Sequence, residues 1–124
     1  MYLLDSTALI EIIKASSKGQ KVKEIIGELP ITFSSITSFE ILAGSRTTEK
    51  EKISNVMQSA HIFPFDHEAG IISAAISRQL KETGKTVQPL DIFIAAVALK
   101  NDLTIITLDS DFERIPNLKT IVIK

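Results

Sequence analysis

Apolar residues along the chain fall into short runs that alternate with stretches of helical spacing. Tyr2–Leu4 is a brief apolar run ending at Asp5, the pattern of a buried strand. Thr7–Ala15 then sets Leu9, Ile12 and Ile13 on one helical face. Ser16–Gln20 interrupts that pattern, and Lys21–Leu29 resumes it with Val22, Ile25 and Ile26 until Pro30 stops the helix. Ile31–Ser35 reads as a second strand. Thr37-Ser-Phe-Glu40 has the capping-box form, Ser or Thr followed three residues later by Glu. It predicts a helix starting at Thr37 and ending near Gly44, with Glu40 one turn in.

The second half continues the alternation. Thr48–Ala60 is a polar helix with Ile53, Val56 and Met57 as its apolar stripe. Ile62–Phe65 is extended, and Pro64 keeps it off a central strand. His67–Glu82 is amphipathic through Ile72, Ile76 and Leu80 and closes at Gly84. Leu90–Lys100, opened by Pro89, is apolar almost all round and reads as a buried helix. Leu103–Leu108 and Thr120–Ile123 are β-branched strands, with a short helical turn at Asp111–Arg114 between them. This alternation predicts an α/β fold with a mostly parallel sheet covered on both faces.

With 124 residues the chain is expected to form one domain over residues 1–124. It has no Cys and only two His, His61 and His67, which argues against disulfides and thiolate or histidine metal sites. The longest apolar run, Ile92–Leu99, is far short of the ~20 residues of a membrane span, and the start lacks a basic leader pattern. A soluble, cytoplasmic protein is expected. No G-x-S-x-G elbow, G-x-G-x-x-G or P-loop occurs, which argues against serine hydrolysis and nucleotide binding.

The informative residues are acids in unusual places. Asp5 ends the first strand, Glu40 lies between Phe39 and Ile41, and Asp91 is the only charge in Leu90–Leu99. Asp109 and Asp111 follow the Thr104–Leu108 run. In a parallel sheet, strand C-terminal ends and the helix starts that follow them share one edge, and ligands bind there where strand order switches. All five acids map to that edge. Such carboxylates repel unless protonated or bridged by cations, and Mg²⁺ or Mn²⁺ takes such oxygen ligands. Each acid also has a structural reading. Asp5 and Asp109 can N-cap, Glu40 can close a capping box, Asp91 suits a helix N-terminus, and Asp111 can lie in solvent.

Four segments carry a resemblance: Leu3-Leu-Asp-Ser-Thr-Ala8, Phe39-Glu-Ile-Leu-Ala-Gly44, Leu90-Asp-Ile-Phe-Ile-Ala-Ala96 and Thr107-Leu-Asp-Ser-Asp-Phe112-Glu-Arg-Ile-Pro. In order and spacing they resemble the motifs of PIN-domain nucleases, above all the VapC-type toxins of toxin–antitoxin pairs. The resemblance implies a three-layer α/β/α sandwich and an endoribonuclease dependent on Mg²⁺ or Mn²⁺. It further implies a homodimer and a small antitoxin that blocks the site. By motif, Asp5 and Asp91 are the main metal ligands and Glu40 a further helix-borne acid. The fourth acid is Asp109 or Asp111, with Asp109 favoured as nearer the strand end. Thr107 and Ser6 take supporting positions. The segment before the third acid is shorter than in many members, which implies a more open pocket. A housekeeping RNA-processing PIN nuclease without an antitoxin is the nearest alternative. A phospho-acceptor receiver domain fits poorly, since Asp5 is unpaired and no Lys lies near Asp109.

Lys14, Lys18, Lys21 and Lys23 fall within ten residues that hold no acid, and Arg46 follows the Glu40 helix. They are the candidate RNA-backbone contacts, with Arg78, Lys81 and Lys85 ranking after them. The net charge of -1 at first argues against an RNA partner. Setting the five site acids aside leaves ten of the 15 acidic residues against 14 basic ones. The near-zero total is then the sum of an acidic pocket and a mildly basic surround.

Overall fold

The computed structural model describes residues 1–45 and 47–124. Five parallel strands form one sheet: β1 (Tyr2–Leu4), β2 (Thr32–Ser34), β3 (His61–Phe63), β4 (Thr104–Thr107) and β5 (Thr120–Val122), in the order β3-β2-β1-β4-β5. The helices are α1 (Ser6–Lys14), α2 (Ser17–Ile26), α3 (Ser35–Gly44), α4 (Lys50–Ser59), α5 (His67–Glu82) and α6 (Pro89–Lys100), with 3-10 turns at Thr47–Glu49 and Ser110–Arg114. β1 and β4 pair Leu3 with Ile105 and Leu4 with Ile106. Because strand side chains alternate, Leu3 and Ile105 join a core under α5 and α6, while Leu4, Phe33 and Ile106 join one under α1, α2 and α4. The expected three-layer α/β/α sandwich is therefore present.

β1 leads through α1 and α2 to its neighbour β2, whereas β4 lies on its other side and is reached only after α6. Strand order thus switches between β1 and β4, and Asp5 and Thr107 end these two strands at the carboxyl edge.

Several helix boundaries differ from the sequence expectation: α2 ends at Ile26 with Gly27 as its C-cap (φ 62) and not at Pro30, α4 starts at Lys50 after a 3-10 turn, and two N-termini move. α3 begins at Ser35, two residues before Thr37, because Ser34 at the end of β2 is its N-cap and accepts the Thr37 N–H at 3.3 Å. Thr37 is buried, no capping box forms, and Glu40 falls in the second turn. α2 begins at Ser17, so Ser16–Gln20 is a helix start and not a break. Ser16 caps it through the Gly19 N–H at 3.0 Å, after Ala15 has ended α1 in the left-handed region (φ 55).

Gly19 is where α2 crosses α1. A Cβ there would stand 2.2 Å from the Glu11 carbonyl oxygen, a backbone atom that cannot turn aside. Gly19→Ala should therefore destabilise the protein by about 1–3 kcal/mol despite alanine's better helix propensity. Urea unfolding would test this, and an unchanged or raised midpoint would contradict the packing argument.

Candidate active site

Asp5 is the centre of the site. It is 2% exposed, and its carboxylate accepts three hydrogen bonds. Oδ1 accepts the Ala8 N–H at 3.0 Å, which caps α1, and the Thr7 hydroxyl at 2.8 Å. Oδ2 accepts the Thr107 hydroxyl at 2.6 Å, across the β1/β4 pair. The two threonines then reach onward. Thr7 Oγ1 accepts the Leu108 N–H at 3.0 Å, and Thr107 Oγ1 accepts the Asp109 N–H at 2.9 Å. Asp5 therefore fixes how the chain leaves β4 as well as how it leaves β1. Burial pushes its carboxyl above the ordinary 3.8, against the pull of the bonds from Thr107, Ala8 and Thr7, and the Asp109 charge adds to the rise.

The other acids gather around this pair of strand ends. Asp109 N-caps the 3-10 turn, its Oδ1 accepting the Asp111 N–H at 2.9 Å. Glu40 is held from α1, since the Ser6 hydroxyl donates to its Oε1 at 2.5 Å. Asp91 sits in the first turn of α6, two residues after Pro89. Its carboxyl is raised from 3.8 to about 6, by burial first and then by the charges of Asp109, Asp5, Glu40 and Asp111. All four other acids of the sequence analysis thus act on Asp91, and the fold does bring the five together. Of these five acids, only Asp111 has a basic partner among the described residues, Arg114 at 3.2 Å.

Ser6 and Thr107 are supporting residues of the sequence analysis, whereas Thr7 has there only the place of a helix start. Its position two residues after a strand-end Asp was the available signal, because a hydroxyl there can fold back onto the carboxylate.

The five acids are a chemically apt donor set for a hard cation. A carboxylate offers about four lone-pair sites, and Asp5 has used three, leaving one on Oδ2. Among the described residues no three acidic or histidine side chains are already drawn together at coordination distance.

The PIN domain family matches this chain over residues 2–118. The chain belongs to that family. It is 29% identical over 115 residues to Ribonuclease VapC1 of Methanocaldococcus jannaschii, covering 91% of this chain and 79% of that protein. The fold superposes with a TM-score of 0.86 on a chain of VapBC2 from Rickettsia felis bound to a DNA fragment from their promoter. That match has 22% identity over 98% of this chain and 97% of the other, and so bears on fold. A chain of VapBC-5, a toxin–antitoxin system from Mycobacterium tuberculosis, aligns with 26% identity and a TM-score of 0.61, over 76% and 81% of the two chains.

The basic candidates of this PIN domain are dispersed. Lys14 borders a groove of roughly 280 Å³ that it shares with Glu40, Ile10, Ile13, Ile41 and Ile53, and it stands 3.9 Å from Glu11. Lys21 donates to the Lys124 carbonyl oxygen at 3.3 Å, Lys23 lines a separate cleft with Ala15 and Ser16, and Lys18 is exposed. Of the run, Lys14 alone shares a cleft with a site acid. Arg46 lies outside the described residues.

A carboxyl whose folded-state pKa is raised favours folding only while protonated. For Asp91 that contribution is complete below about pH 4 and lost as pH rises through about 6. With metal chelated, Asp91→Asn should therefore be more stable than the parent near pH 7.5. The gain should be on the order of 1–2 kcal/mol once solvent screening is allowed for, and should close towards pH 4. Urea unfolding in chelator at both ends of that range would show it. A gap that is absent, or equal at both pH values, would mean that Asp91 does not carry the repulsion.

Proposed function

We propose that this PIN-domain protein is a divalent-metal-dependent endoribonuclease, the toxin of a toxin–antitoxin pair, that hydrolyses RNA phosphodiester bonds. The observation that carries the reading is the convergence of four carboxylates on Asp91 at the sheet's switch point, with no cation paired to Asp5, Glu40, Asp91 or Asp109 among the described residues. Asp5 and Asp91 would hold Mg²⁺ or Mn²⁺, and Glu40 and Asp109 would complete the acidic wall. A bound ion of this kind supplies a water of lowered pKa and offsets charge developing on the phosphoryl oxygens. The protein's own part is to fix the carboxylates: Thr7 and Thr107 orient Asp5, and Ser6 orients Glu40.

The likeness to Ribonuclease VapC1 supports RNA as substrate, and the likeness to chains of VapBC assemblies supports a small antitoxin as partner. The groove beside Glu40, walled by Ile10, Ile13, Ile41 and Ile53, has the apolar lining that an amphipathic antitoxin segment would bury. Phe39, Leu42 and Ile71, each more than half exposed, supply apolar surface suited to a homodimer contact. A cytoplasmic setting would suit a toxin acting on cellular RNA. No helix of the described residues is long and apolar enough to cross a membrane.

Asp5→Asn and Asp91→Asn should each lower Mn²⁺- or Mg²⁺-dependent cleavage of total cellular RNA by on the order of 10²–10³-fold, with circular dichroism unchanged. Cleavage that persists in both variants, or that survives chelation in the parent, would overturn the assignment.

A further inference from the structure

Among the described residues, one basic side chain is ion-paired to a candidate site acid. Arg114 ends the 3-10 turn that begins after Asp109. Its Nη1 donates to the Thr86 carbonyl oxygen at 2.8 Å, and its Nη2 lies 3.2 Å from Asp111 Oδ1. Thr86 belongs to the segment that enters α6, five residues before Asp91. One guanidinium therefore spans the two chain segments that deliver Asp91 and Asp109 to the site.

The two segments differ in how firmly they are held. The 3-10 turn is pinned by Phe112 and Ile115, both buried in the core under α5 and α6. The approach to α6 is held less. Its N-cap, Gln88, makes no side-chain capping bond. Val87 packs on the core, and Gly84 and Lys85 bond back to the end of α5. Among the described residues, Arg114 makes the only hydrogen bond from this approach to the 3-10 turn. A planar, forked donor suits two acceptors on different segments, as a lysine does not.

Asp111 has a matching geometry. Its backbone N–H is taken by Asp109 and its carboxylate faces Arg114 over a cleft also lined by Val87 and Pro89. The pair is part-exposed, 46% for Arg114 and 38% for Asp111, so it adds little to global stability. What it can do is fix a local distance.

We infer that Arg114 is a positioning residue, which clamps the approach to α6 onto the Asp109 turn and so sets Asp91 against Asp109, with Asp111 as its counter-ion and not a direct metal ligand. Its catalytic consequence rests on the metal-nuclease reading; the clamp itself does not. A side chain that orients metal-binding carboxylates without touching the metal changes affinity by about tenfold or more when removed.

The test compares the parent with Arg114→Ala, Arg114→Lys and Asp111→Ala by three readouts. Amide hydrogen exchange at Thr86–Asp91 reports the clamp, Mn²⁺ titration by calorimetry reports the acids, and kcat and KM on RNA report the reaction. Arg114→Ala should speed exchange at Thr86–Gln88 and Asp91, weaken Mn²⁺ by about tenfold, and lower kcat with KM within about twofold. Its melting temperature should stay within about 2 °C of the parent's. Arg114→Lys should fall between the two, and Asp111→Ala should match Arg114→Ala. Unchanged exchange in Arg114→Ala would overturn the clamp. A rise in KM alone, with weaker salt dependence, would make Arg114 a phosphate contact instead. A far greater Mn²⁺ loss in Asp111→Ala than in Arg114→Ala would return Asp111 to the ligand set. A parent that neither binds Mn²⁺ nor cuts RNA would sink the functional reading, while exchange would still decide the clamp.

Discussion

A carboxylate at 2% exposure, just past the end of the central strand of a sheet, is the constraint around which this molecule is built. Burying a charge without partners is prohibitive, so Asp5 must be met by donors wherever the chain provides them. It is met by three: the first amide turn of α1, the Thr7 hydroxyl and the Thr107 hydroxyl. Hydrogen bonds to charged acceptors contribute about 1.5–3 kcal/mol each, comparable to the effective cost of partial desolvation. The upward shift of the Asp5 carboxyl shows burial, with the Asp109 charge, outweighing those bonds. Because the donors come from a helix start and from the neighbouring strand, satisfying one side chain fixes the relative placement of β1, α1 and the exit from β4.

That placement creates the second tension. The hydroxyls that hold Asp5 also hold Leu108 and Asp109, so they draw a second carboxylate towards the first. α3 and α6 add Glu40 and Asp91 from the two sides. Asp91 lies where the positive end of a helix should stabilise its anion, yet burial and four like charges overcome that advantage. A fold selected for stability alone has no use for this arrangement. On the proposed metal-nuclease reading, it is the cost of an acidic pocket that a cation would relieve.

Much of this was legible in the chain. The alternation of β-branched runs with amphipathic stretches announces a parallel sheet, since each element can bury its apolar side in only one way. The site acids stand out because they interrupt runs that are otherwise apolar. For Asp5 and Asp109 the structural and functional readings both hold, since each caps the element that follows it while facing the cluster. Sequence and structure part where tertiary structure chooses between equal local signals. Ser34, Ser35, Thr37 and Ser38 are all plausible caps for α3, and the choice of Ser34 is made by the end of β2. Gly19 looks like a helix breaker, but it is a helical residue whose missing side chain lets α2 lie on the Glu11 backbone. Spacing groups Lys14, Lys18, Lys21 and Lys23 as one patch, whereas Lys14 ends α1 beside the Glu40 groove and the other three lie on α2, where Lys21 and Lys23 face separate clefts.

The acids of the site can be ordered by how far the protein has already satisfied them. Asp5 accepts three hydrogen bonds, from the buried Ala8 N–H and Thr107 hydroxyl and the half-buried Thr7 hydroxyl, and Asp109 accepts one as a cap. Glu40 takes one from Ser6, while Asp111 is paired with Arg114. Asp91 alone has no side-chain hydrogen bond among the described residues, and its carboxyl is displaced upward to about 6. A cation entering the pocket gains least new stabilisation from the acid that is already satisfied and most from the one that is not. On the proposed metal reading, the sheet would supply a fixed ligand, Asp5, whose position is bound up with the fold itself, and the start of α6 would supply Asp91, whose charge is unbalanced until a cation arrives. Asp91 has no side-chain hydrogen bond to place it, so its position is set by the backbone of α6, through the core packing of Ile92 and Ile94 and through the segment that leads into the helix.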